Sequence, residues 1–133
     1  MEIREYLQYN EVEILSLYSS VGWTAYTESP EALRRGFGIS LLTLAAYEGD
    51  QLLGIIRVVG DGYTIVWIQD ILVFPDQQRK GIGSVLIQAV LERFSHVRQI
   101  ELATDNMPKT IAFYRSQGFQ ELSELGCCAF MKI

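Results

Sequence analysis

The stretch that decides the fold is PDQQRKGIGSVLIQAVLERF, residues 75–94. A proline and a polar run lead into Gly81 and Gly83, and apolar residues then recur at three- and four-residue spacing as far as Phe94. That spacing predicts an amphipathic helix. Glycine loses more backbone entropy on folding than any other residue. Two glycines at the start of a helix therefore indicate that side chains at these positions would sterically exclude a neighbouring group.

The turn before this helix has the chemistry of a phosphate site. The first turn of a helix presents free N–H groups, and its dipole favours an anion. Gly81 and Gly83 lack the Cβ atoms that would hold a phosphate away, while Arg79 and Lys80 add positive charge and Ser84 adds a hydroxyl donor. The residues therefore predict a phosphate or pyrophosphate site built mostly from main chain.

Two other phosphate motifs do not fit this turn. A Walker loop requires G-x-x-x-x-G-K-[ST], and a dinucleotide fingerprint requires a third glycine where Leu86 stands. A plain strand-to-helix turn is the competing interpretation of the two glycines, and they do not decide it by themselves.

The order of elements predicts a mixed α+β fold in a single domain, residues 1–133. Asn10 is expected to cap the first helix with Glu13 in the reciprocal position, and Ser29-Pro30 to begin a second helix that stops at Gly36 and Gly38. Strands are predicted at residues 3–6, 41–47, 52–59, 63–74, 99–104, 119–122 and 128–133, and further helices after Pro75 and at 108–117.

Composition narrows the function. The net charge is −5 and no lysine- or arginine-rich face is evident, which argues against nucleic-acid binding. Apolar runs are too short to cross a membrane, and the first ten residues lack a signal core, so a cytoplasmic protein is expected. Cys127 and Cys128 are adjacent, so we expect reduced thiols, one buried and one half-exposed, with no disulfide and no metal site.

Three segments carry a family resemblance. Gln78 to Gly83, QRKGIG, resembles the Q/R-x-x-G-x-G/A signature of the Gcn5-related N-acetyltransferases, the GNAT family. Residues 71–75, ILVFP, resemble that family's strand ending in V-x-P, and residues 113–119, FYRSQGF, resemble its F-Y-x-x-x-G-F segment. The resemblance implies a GNAT-like acyl-CoA N-acyltransferase fold, with a central, mostly antiparallel mixed sheet flanked by about four helices.

The same resemblance implies acetyl-CoA as the donor. The main chain of Ile71, Leu72 and Val73 would hold the pantetheine arm on a strand edge, where the strand bulges and splays from the next one. Asn106 is a further candidate contact, although the family asparagine usually stands where this chain has Met107. The alternative role for this segment is that Asp105 or Asn106 caps the helix that follows. The pyrophosphate would be held by Gln78, Arg79, Lys80, Gly81, Ile82, Gly83 and Ser84.

The resemblance also implies roles in catalysis. Tyr114 would protonate the departing CoA thiolate as general acid, and Asp70 is the candidate carboxylate for deprotonating the amine, either directly or through water. Transfer would proceed by direct attack of the amine in a ternary complex, without a covalent intermediate. A non-catalytic acyl-CoA-binding or regulatory module is the alternative function.

Aromatic residues are the candidates for the acceptor pocket. Trp23, Tyr26 and Trp67 could attract a cationic amine through their ring faces, and Glu28 could add charge. Ordinary core packing is the alternative for all three rings. The acceptor could be a small amine, an amino acid, an aminoglycoside-like compound or a protein amine. A homodimer is compatible with the sequence, which does not decide it.

Overall fold

The computed structural model describes every residue from Met1 to Ile133. Its packing forms two compact units, Met1–Ala103 and Thr104–Ile133, which we describe separately. The single-domain assignment stays a prediction. The first unit contains β1 (Glu2–Glu5), α1 (Glu11–Ser20), α2 (Thr24–Thr27), α3 (Pro30–Ile39), β2 (Leu42–Glu48), β3 (Gln51–Gly60), β4 (Ile65–Val73), a 3-10 turn (Pro75–Gln77), α4 (Ile82–Arg93) and β5 (Gln99–Leu102). The second unit contains α5 (Pro108–Ser116) and a 3-10 turn (Leu122–Leu125).

The first unit is built on a five-stranded sheet in the order β1-β2-β3-β4-β5. Its first four strands are antiparallel to their neighbours, and β5 runs parallel to β4. The predicted mixed α+β class, with a mostly antiparallel mixed sheet, is therefore confirmed. One core cluster joins α1 and α3 to β2, β3 and β4 through Ile14, Leu17, Tyr18, Leu33, Ala45, Leu52, Ile55 and Leu72. Helix α4 buries Ile82, Leu86, Ile87 and Val90.

The start of α1 is partly as predicted. The Asn10 side chain accepts the backbone N–H of Glu13 at 3.1 Å, which confirms the cap. The reciprocal role expected for Glu13 is wrong. Its carboxylate instead accepts the hydroxyls of Tyr6 at 2.8 Å and Tyr47 at 3.3 Å. A partly buried phenol needs a hydrogen-bond partner, and here that need takes Glu13 away from the cap.

Helix α3 does not stop at its glycines. It begins at Pro30 as predicted but continues through Gly36 and Gly38 to Ile39. A Cβ atom at Gly36 would lie 3.2 Å from Nη1 of Arg57, a side chain buried beneath the helix. Glycine at position 36 therefore leaves space for the Arg57 side chain. A glycine inside the helix costs less free energy than ending the helix there.

The two closing strands predicted at residues 119–122 and 128–133 are wrong. Residues from Leu122 form a 3-10 turn with a capping box between Glu121 and Glu124, and Arg115 pairs with both carboxylates. Those local bonds favour a turn over a strand. Residues 126–133 have no regular structure and are exposed, including Phe130.

The expectation of one buried thiol in this segment is also wrong. Cys127 and Cys128 are both free and both exposed. The expectation rested on a strand that buries one of its two faces. Because no strand forms at these positions, neither thiol is covered.

Gly54 permits the close approach of β3 to β4. A Cβ atom there would lie 2.5 Å from the carbonyl oxygen of Leu72, a backbone atom that cannot move without moving β4. We expect Gly54→Ala to lower the free energy of unfolding by about 1 to 3 kcal/mol, measured by urea denaturation. Gly38→Ala is the matched control, because nothing lies within 4 Å of its Cβ position in α3. If both variants unfold at the same urea concentration, close strand approach is not the role of Gly54.

Candidate active site

Both ladders of β4 are interrupted at Gln69. On the β3 side, Arg57 pairs with Asp70 but Val58 pairs with Ile68, so Gln69 is an extra residue with no partner, a β-bulge. On the other side, the parallel ladder with β5 ends at Ile68. The bulge implied by the resemblance is therefore confirmed, and the ladder with β5 ends where the resemblance implies a splay. From Gln69 to Val73, β4 has no strand partner on the β5 side.

The bulge changes which face of the sheet each β4 side chain occupies. Directly paired residues share a face, and Arg57 and Val58 are consecutive, so they lie on opposite faces. Their partners Asp70 and Ile68 therefore face opposite sides, although they are two positions apart. Trp67 pairs with Val59 and so shares the face of Arg57 and Asp70. Bulges re-aim side chains in this way next to active sites.

Asp70 lies at the centre of a buried polar cluster. Its side chain is 0% exposed, and its Oδ2 atom accepts Nη2 of Arg57 at 2.7 Å and Nε at 2.8 Å. The Tyr18 hydroxyl donates to the same oxygen at 2.7 Å, and the Tyr26 hydroxyl donates to Oδ1 at 3.1 Å. A buried carboxylate requires such pairing. Burial, and then the charge of Asp70, raise the pKa of Tyr18 well above its ordinary value, so this phenol remains protonated.

The predicted acceptor residues come together beside this cluster. Tyr26, on the one-turn helix α2, stacks on Trp23 with ring centroids 6.0 Å apart and an interplanar angle of 25°. Gln69 donates from Nε2 to the Tyr26 oxygen at 3.1 Å, and Nε1 of Trp67 donates to Oε1 of Gln69 at 3.1 Å. Trp23 is 38% exposed, so this aromatic surface is open to solvent. We call Trp23, Tyr26, Trp67 and Gln69 the aromatic patch.

Three residues of this region were not singled out from the sequence: Tyr18, Arg57 and Gln69. Arg57 carried a usable signal, because it is the one charge in the apolar strand LLGIIRVVG, and a lone buried charge requires a partner. Asp70 stands alone in the same way in the strand that follows. Gln69 had no such signal, since an exposed glutamine on a strand is ordinary and its role depends on the bulge.

The phosphate turn follows β4 directly. Gly81 adopts a left-handed conformation, φ 82°, immediately before α4, and Arg79 is also left-handed at φ 65°. No side chain caps α4. Gln78 donates its side-chain amide to the carbonyl of Val73 at 3.1 Å, which fixes the loop to the end of β4. Left-handed residues before an uncapped helix turn their N–H groups toward a common point, where an anion can be held.

The other predicted residues lie in the second unit. Tyr114 is on α5, with its ring edge-on to Phe113 and Phe119. Burial raises the pKa of Tyr114, so its hydroxyl keeps its proton at neutral pH. Asn106 is exposed and does not cap α5, whose N-cap is Met107. Asp105 accepts the N–H of Met107 at 3.2 Å, so the helix cap expected from Asp105 or Asn106 is a turn one residue earlier.

No group of three or more histidine, cysteine, aspartate or glutamate side chains is arranged to hold a metal ion. None of the helices has the length and apolar character needed to cross a membrane.

Comparison with known proteins identifies the family. Residues 40–121 match the model of the GNAT acetyltransferase domain. A solved structure of a GNAT family acetyltransferase from Streptococcus pneumoniae TIGR4 is 38% identical with a TM-score of 0.89, covering 99% of this chain and 96% of that one. An aminoglycoside 6'-N-acetyltransferase solved with coenzyme A has a TM-score of 0.73 at 18% identity, covering 89% of this chain and 84% of that one.

The chain is also similar in sequence to a curated protein. That relative is an uncharacterized N-acetyltransferase, ycf52-like, from Prochlorococcus marinus, 29% identical over 125 residues and covering 90% of this chain. The chain spans about two thirds of the length of the curated relatives it matches. The domain match covers more than half of the chain and includes residues 71–75, 78–83 and 113–119, the three segments on which the resemblance rests. The chain belongs to the GNAT family of acetyltransferases.

Proposed function

We propose that this protein transfers the acetyl group of acetyl-CoA to a primary amine. The observation that carries the proposal is the continuity of two binding surfaces, the one-sided edge of β4 at residues 69–73 and the uncapped glycine turn that follows. A strand edge offers N–H and C=O groups in the spacing that an extended amide chain can pair with. The pantetheine arm carries such amides and ends in a pyrophosphate.

The residues present fit this ligand at both ends. Main-chain groups of Ile71, Leu72 and Val73 would pair with the pantetheine amides, and Asn106 is retained as a further proposed contact. The N–H groups between Gln78 and Ser84 would receive the pyrophosphate, with Arg79 and Lys80 exposed beside them. The aminoglycoside acetyltransferase solved with coenzyme A supports this ligand for the fold.

In the proposed reaction the neutral amine attacks the thioester carbonyl within a ternary complex. The C–N bond forms as the C–S bond breaks, and the attacking nitrogen releases one N–H proton to water. A main-chain N–H near Leu72 would stabilise the negative charge on the oxygen. Tyr114 would protonate the sulfur of the departing CoA, a role that its raised pKa supports. Trp23, Tyr26 and Trp67 would contact the acceptor.

Asp70 takes an indirect role in this proposal. Its carboxylate is completely buried and paired with Arg57. An amine bound at the aromatic patch would therefore interact with Asp70 only through the Tyr26 hydroxyl. We therefore propose that Asp70 holds the Tyr26 hydroxyl in place, and that the proton of the ammonium leaves to water. A homodimer stays a prediction.

The activity is tested by following thiol release from acetyl-CoA with an amine panel of spermidine, lysine amide, kanamycin and a peptide with a free N-terminus. The proposal requires release that depends on at least one amine, together with an acetylated product detected by mass spectrometry. If acetyl-CoA binds but no amine of the panel is acetylated, the chain acts instead as the acyl-CoA-binding module named above.

Tyr114→Phe is expected to lower turnover about a hundredfold and to leave the KM for acetyl-CoA unchanged, because it removes a proton donor but no binding contact. Tyr63→Phe is the matched control, since that phenol is 80% exposed in a turn between strands. Both variants are measured by the same thiol-release assay. Equal turnover of Tyr114→Phe and Tyr63→Phe would remove Tyr114 from the mechanism.

A further inference from the structure

Gln69 is exposed, yet both ends of its side chain are fixed. Its Oε1 atom accepts the indole N–H of Trp67 and its Nε2 atom donates to Tyr26, each at 3.1 Å. An exposed glutamine normally keeps its rotamer freedom, and fixing its side chain has a cost in conformational entropy. The bulge contributes to the arrangement, because it places Trp67 and Asp70 on the same face of the sheet. Gln69 and Asp70 both form hydrogen bonds with Tyr26.

Three hydrogen bonds join Trp67, Gln69, Tyr26 and Asp70 in a row. The donor and acceptor groups of these side chains set the direction of each bond. Asp70 is paired with Arg57 as a carboxylate and can only accept, so the single proton of Tyr26 is directed to it. The Tyr26 oxygen must then accept from the amide of Gln69. The indole of Trp67 can only donate, so it must meet the oxygen of that amide. Each of the three bonds excludes the opposite orientation of the glutamine.

With its proton committed to Asp70 and one lone pair to Gln69, Tyr26 has only acceptor capacity left. Burial raises the pKa of Tyr26, which keeps the phenol neutral although the Gln69 bond acts in the other direction. A neutral acceptor beside the faces of Trp23 and Tyr26 suits an N–H donor that carries positive charge or has just lost it.

We propose that Gln69 is a positioning residue for the acceptor amine, because it orients the Tyr26 hydroxyl so that the remaining lone pair accepts an N–H of the substrate. This inference rests on the proposed function, in which the aromatic patch receives the amine. It explains why a polar residue stands at the bulge, where both ladders of β4 are interrupted. The substrate class it selects is a primary amine approaching over the ring of Trp23.

Gln69→Leu and Gln69→Glu test the proposal in different ways. Leucine removes the donor to Tyr26, so the KM for the amine should rise about tenfold while the KM for acetyl-CoA stays unchanged. Glutamate can replace the donor only when protonated. The ratio of kcat/KM for Gln69→Glu to that of the wild type should therefore fall about fivefold between about pH 4 and pH 6, the range in which a glutamate carboxyl ionises. Gln8→Glu, an exposed residue outside the patch, adds the same charge as a control.

The direction of that pH effect separates positioning from simple charge attraction. If the added carboxylate merely attracts an ammonium, the ratio rises with pH, and the proposal is overturned. A flat ratio overturns it as well. In both cases thiol release by the wild type leaves the proposed function standing.

A second measurement applies if the wild type acetylates none of the panel amines. The chain has two tryptophans, so a ¹⁵N spectrum shows two indole N–H signals, and Trp23→Phe assigns the one from Trp67. Each panel amine is then titrated into the wild type and into Gln69→Leu. A Trp67 shift in the wild type that needs about tenfold more amine in Gln69→Leu supports the positioning role although the proposed function has failed. No shift in the wild type, or the same midpoint in both proteins, overturns it.

Discussion

Replacing Arg57 with methionine is expected to lower the free energy of unfolding by about 3 to 5 kcal/mol. The guanidinium is 8% exposed and makes two contacts with Oδ2 of Asp70, which is itself completely buried. Methionine fills a similar volume but leaves the Asp70 carboxylate as an uncompensated charge in the core, where its solvation is lost. The free energy of unfolding of a domain of this size is roughly 5 to 15 kcal/mol, so this is the largest stability effect we expect.

Two further variants identify the cause of that loss. Arg57→Met combined with Asp70→Asn should recover part of the stability, because the amide is neutral and its oxygen can still accept from a phenol. Arg34→Met removes an exposed ion pair with Glu31 and should leave the free energy of unfolding nearly unchanged, because solvent screens such pairs. The variants are compared by urea denaturation. A double variant no more stable than Arg57→Met alone would show that lost packing, and not the bare charge, explains the effect.

The sequence predicted the fold well wherever local signals and burial agreed. Helix α4 has both an apolar period and a glycine start, and it lies at residues 82–93 close to the predicted place. The glycines at 36 and 38 misled the prediction, because their conformational cost suggested a helix end. The reason for one of them, room for Arg57, is a contact with a strand distant in sequence. Such contacts have no local signature.

For the last residues of the chain, the local sequence predicted a strand that the structure does not contain. The mostly apolar residues 128–133 favour a strand, but a strand needs a partner, and propensity alone does not supply one. Local bonds among Arg115, Glu121 and Glu124 stabilise a turn just before this segment. No partner strand pairs with the residues that follow, which stay exposed.

The candidate site was predictable in its parts but not in its arrangement. The glycine turn, the β4 edge and the aromatic residues were found from motifs, whereas the pairing of Asp70 with Arg57 depends on strand register. The bulge at Gln69 shifts the alternation of β4 side chains between the two faces of the sheet by one residue. A strict two-residue alternation would place Asp70 and Ile68 on the same face, and the structure places them on opposite faces.

Gly83→Leu is expected to weaken acetyl-CoA binding at least about a hundredfold without unfolding the protein. Gly83 lies in the first turn of α4 and has no positive φ, so leucine fits the helix backbone and has the higher helix propensity. Its side chain would cover the N–H groups that we propose hold the pyrophosphate, and two lost charge-assisted bonds account for the factor. Gly83→Ala is the control, because the family signature tolerates alanine there.

The most direct test of the central claim is calorimetric titration of acetyl-CoA into the wild type, Gly83→Ala and Gly83→Leu. The claim is that β4 and the glycine turn bind this cosubstrate. We predict saturable binding by the wild type and by Gly83→Ala, and none detectable for Gly83→Leu, whose circular dichroism spectrum remains native. Absence of binding by the wild type, or equal binding by all three proteins, would contradict it.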